Sequence, residues 1–92
     1  MISLSDQVIF AAAQAIEIDP RELIGTGRYV ELVRARWAVM RALSARQWST
    51  ARIGRRLGRR DHTTVMHGLK RAAEMYASDS EFAALCDRVA AA

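Results

Sequence analysis

The densest grouping of chemically capable side chains is Arg59-Arg60-Asp61-His62-Thr63-Thr64, followed within two helical turns by His67, Lys70 and Arg71. Guanidinium groups fork onto phosphates or onto O6 and N7 of guanine. A carboxylate beside them can cap a helix, and it can accept a hydrogen bond from the N4 amino group of cytosine. His62, Thr63 and Thr64 offer short hydrogen-bonding groups, and threonine methyls suit the methyl of thymine. Together these residue types are suited to reading the edges of base pairs.

Other chemistries fit the same residues less well. Two threonines at a helix start could be mere capping residues. His62 and His67 stand five apart, whereas a two-histidine metal clamp on a helix needs a spacing of four and, in zinc proteases, a glutamate. Cys86 is the single cysteine, so neither an internal disulfide nor a cysteine zinc site is available. Set among Leu85, Val89 and Ala90, it reads as a buried helical thiol, and the cytoplasm is the expected compartment. There is no nucleophile–base pair and no paired-carboxylate arrangement, so no enzyme activity, cofactor or metal is expected.

Charge is distributed unevenly. Twelve of the fourteen basic residues fall between Arg28 and Arg71, with only Glu31 and Asp61 against them; the other eight acidic residues lie outside that span. Such a split directs a positive field at a polyanion. Thirteen of the fourteen are arginines, the better residue for forked phosphate and guanine contacts.

These residues need a scaffold, and the chain reads as about six helices in one all-α domain spanning 1–92. A first helix is expected from Ser5 to Ile18, with Val8, Ala12, Ala15 and Ile16 inward. Asp19-Pro20-Arg21-Glu22 starts a short second helix that Gly25-Thr26-Gly27 ends. A third runs from Tyr29 to Ala45, its stripe Val30, Val33, Trp37, Met40 and Ser44, with Arg34 and Arg41 reaching outward. Trp37 on that stripe reads as core rather than as a base-stacking residue.

Ser49 caps a fourth helix from Thr50 to Leu57, with Ala51, Ile53 and Leu57 inward, and Gly58 breaks it. Asp61 caps a fifth that runs to Tyr76, burying Val65, Leu69, Ala72 and Tyr76. Ser78-Asp79-Ser80-Glu81 forms a capping box for a sixth that buries Phe82, Leu85 and Val89. Helix four, the Gly58 turn and helix five have the form of a helix-turn-helix, whose second helix enters a major groove by its first residues. No apolar run is long enough to cross a membrane, and the opening Met1-Ile2-Ser3-Leu4 has no basic leader.

The run Gly58-Arg59-Arg60-Asp61-His62-Thr63-Thr64-Val65-Met66-His67 resembles the C-terminal DNA-binding domain of the bacterial replication initiator DnaA. The likeness extends upstream through Ile53-Gly54 and Ile18-Asp19-Pro20-Arg21-Glu22-Leu23-Ile24, and more loosely to the last helix. It implies a six-helix fold of the Trp-repressor type and specific binding of short duplex sites, the DnaA boxes. It implies base reading by Asp61, His62, Thr63 and Thr64, with Arg60 and His67 beside them. It places Arg28 at a family arginine that enters the minor groove, and Arg34 or Arg36 at one early in the third helix that meets DNA. Three departures bear on sequence preference. The loop before Arg28 is less basic than in the family, Trp37 follows Arg36 where glutamine is usual, and Arg59 replaces a glycine.

The expected function is non-enzymatic binding of double-stranded DNA in the nucleoid. Arg46, Arg55, Arg59, Lys70 and Arg71 would join the phosphate contacts. The family's ATPase module has no counterpart here, since no Gly-rich loop ends in Gly-Lys-Ser/Thr. Alternative roles are a small transcription regulator, a competitor at the initiator's sites, or an adaptor that binds the initiator or another replication protein.

Overall fold

The computed structural model describes residues 2–92, and every regular element among them is an α-helix. Met1, the first residue of the segment inspected for a leader, lies outside the described residues. The helices are α1 (Leu4–Ala15), α2 (Pro20–Leu23), α3 (Val30–Ala45), α4 (Thr50–Arg56), α5 (His62–Ser78) and α6 (Ser80–Ala90).

Short polar side chains set most of the starts. The Ser3 hydroxyl accepts from the Asp6 amide (3.1 Å), Asp19 from Arg21 (2.8 Å) and Ser49 from Arg52 (3.1 Å). Asp61 accepts from Thr64 (2.8 Å) and Asp79 from Phe82 (3.0 Å). Each pairing satisfies an amide that the first helical turn leaves without a partner. Asp79, not Ser78, caps α6; the Ser78 hydroxyl donates back to the Glu74 carbonyl. The first helix stops at Ala15, three residues short of the expected Ile18, because Glu17 takes a left-handed conformation (φ 59°) and Ile18 bonds to Ala13.

Helix α3 lies at the centre, packed by α1, α5 and α6. It therefore buries residues around much of its circumference: Leu32, Ala35, Arg36, Ala38, Val39, Met40, Ala42 and Leu43. The single expected stripe was wrong for Val30, which is 60% exposed, and only Met40 of that stripe is fully buried. Trp37 packs half-buried against the core. In α4, Ile53 and Leu57 are buried as expected, but Ala51 is exposed. In α5 the buried line is Val65, Gly68, Ala72 and Met75, with Leu69 and Tyr76 at its margin.

Cys86 is buried, and burial raises its thiol pKa to about 11, which keeps it protonated and inert at neutral pH. Arg56 pairs with Asp6 and donates to the Ser5 hydroxyl (3.0 Å), tying α4 to α1. No described helix is long and apolar enough to cross a membrane.

Candidate nucleic-acid interface

The turn between α4 and α5 is built to bring the start of α5 to the surface. Gly58 (φ 84°) and Arg59 (φ 63°) are both left-handed, which reverses the chain within a few residues. A side chain on Gly58 would collide with the Ile24 carbonyl, so the turn rests directly on the end of α2. Gly54 of α4 makes an equally close approach to the Arg60 carbonyl, and the Arg60 amide donates to the Gly54 carbonyl (2.9 Å). Gly68 leaves room for the edge of Trp37 and the Met40 sulfur, drawing α5 onto α3.

Held this way, Asp61, His62, Thr63, Thr64, His67 and Lys70 are all exposed. Thr63, His67 and Lys70 lie on the side of α5 opposite the Val65–Gly68–Ala72 line, as a period of 3.6 residues requires, whereas Asp61, His62 and Thr64 are exposed because they stand at the helix start. The Asp61 carboxyl sits below its ordinary range, because the Thr64 amide and hydroxyl bond to its charged form. It is thus an ionised cap at neutral pH, on an exposed residue. The amides of His62 and Thr63 add the positive end of the helix dipole.

Arg28 and Thr64 line one concavity of about 470 Å³, with Gly25, Thr26, Trp37 and Arg60 around it. The α2–α3 loop and the tip of α5 therefore form two rims of one surface. A smaller groove on the far side of Trp37 brings Arg28 near Arg34 and Arg71. Arg34, Arg55 and Arg59 are exposed. Arg71 is half-buried, with its guanidinium 5.7 Å from the Trp37 ring and 3.7 Å from Glu74.

Three arginines depart from the outward role expected of them. Arg36 is only 4% exposed. Its guanidinium donates to the carbonyls of Leu23 (2.9 Å), Gly27 (2.5 Å), Glu22 (2.9 Å) and Gly25 (3.0 Å). It closes the end of α2 and shapes the loop that carries Arg28, leaving Arg34 as the outward arginine early in α3. Arg60 turns inward to the Gly25 carbonyl (2.7 Å) and to that of Leu57. Arg46 sits at the opposite end of α3 from Arg28, bonded to the carbonyls of Ala90 (3.0 Å) and Ala92 (3.3 Å).

Burial, then the neighbouring Arg60 charge, lowers the Arg36 pKa to about 10, and burial with Arg28 lowers that of Arg60. All remain charged at neutral pH. Their mutual repulsion is what a bound anion would relieve.

Sequence reasoning missed Met66, which is 56% exposed in the middle of the polar face of α5. Its placement was legible in principle, three residues after Thr63 and four before Lys70. It also missed the inward turn of Arg36, since a buried arginine held by backbone carbonyls leaves no mark in the residue types around it. Among the described residues, no group of His, Cys, Asp and Glu is placed to hold a metal ion.

Fold and site together define a DNA-binding helix-turn-helix protein, its two helices α4 and α5 joined by the Gly58 turn. Residues 5–72 match the family described as bacterial DnaA protein helix-turn-helix, and the chain belongs to that family. It is 40% identical over 78 residues to the chromosomal replication initiator protein DnaA of Thermomicrobium roseum, an alignment covering 84% of this chain and 17% of that protein. The corresponding protein of Cereibacter sphaeroides is 39% identical over 74 residues, covering 77% of this chain and 16% of the relative. That of Thermus thermophilus is 34% identical over 76 residues, covering 82% and 17%. The chain therefore spans about a sixth of the length of these relatives.

Proposed function

We propose that residues 1–92 act as one unit that binds short duplex sites of the DnaA-box type, without hydrolysing nucleotide. The tip of α5 enters the major groove, where Asp61, His62, Thr63, Thr64 and His67 meet base edges. Arg28 reaches the adjacent minor groove, where width and A/T content govern the contact. Arg34, Arg55, Arg59, Lys70 and Arg71 neutralise phosphates and set the register. Arg36 and Arg60 hold the two reading elements in place.

The observation that carries this reading is the exposed, capped tip of α5 sharing a concavity with Arg28. A duplex offers a major groove and a neighbouring minor groove side by side, and membership of the family points the same way. Selection of bound duplexes from a random pool tests it. A DnaA-box-like consensus is the expected result, and a pool that never departs from random sequence would reject it.

The setting consistent with such binding is the nucleoid, at sites that the replication initiator also recognises. There the chain would serve initiation directly or compete with the initiator as a regulator. Genome-wide occupancy with and without the initiator separates these roles. An adaptor role, with the initiator or another replication protein as partner, predicts binding to that protein and no preferred duplex.

A further inference from the structure

Six other large apolar side chains are exposed among the described residues: Ile2, Leu4, Phe10, Ile24, Tyr29 and Val30. All lie in or beside α1 or between α2 and the start of α3. Met66 stands apart from them. It is the one such residue on α5, and its neighbours on the outward face are His62, Thr63, His67 and Lys70. A lone exposed apolar residue is ordinary on a protein surface. This one sits in the centre of a face otherwise made of hydrogen-bonding groups, the face that a major groove would cover.

We propose that Met66 is a specificity-determining residue that packs on the 5-methyl group of a thymine. The inference rests on the groove-reading role assigned above to α5. The methyl of thymine is the one apolar group that base pairs present in the major groove. A thioether on an unbranched, flexible stem suits a contact whose depth varies with local groove shape. Met66 lies three residues beyond Thr63, or ~4.5 Å along the helix, on the order of one base-pair step. Its thymine therefore lies next to the base pair that Thr63 meets, towards the Lys70 end. Hydrogen-bonding residues at the tip and an apolar contact one step on would read different features of adjacent base pairs.

The test uses the full chain and its preferred duplex, with thymines replaced one at a time by uracil, which removes only the methyl group. For the unaltered protein, uracil at one thymine beside the Thr63 contact should weaken binding ~4-fold, the equivalent of one lost methyl burial. Met66→Leu should keep that sensitivity. Met66→Gln should bind the thymine and uracil duplexes equally, while remaining as stable as the parent because the side chain is exposed. A uracil profile identical in the parent and Met66→Gln overturns the proposal and leaves the groove-reading role of α5 intact. Absence of any preferred duplex overturns both.

Discussion

Arg36 and Arg60, twenty-four residues apart, donate to the same backbone oxygen, that of Gly25, at 3.0 and 2.7 Å. One comes from the central helix and the other from the turn that launches α5. The shared carbonyl thus joins the loop bearing Arg28 to the turn before α5. Two elements joined this way keep a fixed separation, which the proposed contact with two adjacent grooves requires.

Removing either arginine should therefore have distinct effects. Arg36→Leu withdraws donors from four carbonyls and should lower unfolding free energy by about 2–4 kcal/mol in urea titrations. Arg60→Leu should lower it less, because fewer carbonyls lose a donor. Its larger effect should be on discrimination, with affinity for the preferred duplex falling more than affinity for random DNA. Equal losses on both would make Arg60 a phosphate contact instead of a positioning residue.

Arg59 occupies a left-handed conformation where the family pattern has glycine. Such a conformation costs a side-chain-bearing residue about 1–2 kcal/mol. Arg59→Gly should consequently stabilise the fold by about 1 kcal/mol and at the same time weaken DNA binding and flatten its salt dependence. Thermal melting and binding titrations at two salt concentrations read the two opposed changes. A variant both more stable and equally tight would show that Arg59 makes no phosphate contact.

His62→Ala should cost about 1–3 kcal/mol on the preferred duplex and little on random DNA. Arg55→Ala should weaken both alike and reduce the salt slope by about one phosphate contact. Arg46→Ala should leave binding nearly unchanged, because its guanidinium is held at the far end of α3 by the last carbonyls of the chain. Competition titrations against scrambled duplexes distinguish the three patterns.

Acid should unfold the protein through two helix caps, Asp19 and Asp61, and the Asp6–Arg56 ion pair. The carboxyls of Asp6, Asp19 and Asp61 all titrate below the ordinary value, that of Asp19 at about 2, chiefly through its bond to Arg21. A carboxyl lowered on folding stabilises fully above its unfolded pKa, and the contribution disappears as pH falls through the folded value. Melting temperature should hold between about pH 5 and 7 and drop below about pH 4. Asp61→Asn, which still caps but does not titrate in this range, should make that drop shallower. An unchanged acid profile would show that this cap contributes nothing to it.

The helix-turn-helix was legible because capping chemistry is local. Ser49, Gly58 and Asp61 each mark a boundary by what their own backbone and side chain can do, and the structure places α4 and α5 within a residue or two of the expected limits. The inward face of α3 was not legible from one stripe, because all five other helices touch it and the buried set wraps around the axis. The charge split pointed to a polyanion, but it did not separate arginines that face solvent from those bonded to carbonyls. Arg36 and Arg34, two positions apart, take opposite roles because only one of them faces the end of α2.

Amide chemical shifts of the isotopically labelled chain, recorded with the preferred duplex and again with a scrambled duplex of equal length, test the central claim most directly. Both duplexes should perturb the basic surface, but the differences between the two complexes should concentrate at residues 61–67 and around Arg28. Identical perturbations with both duplexes, or changes centred on the Ile16–Phe82–Leu85 groove between α1 and α6, would contradict it.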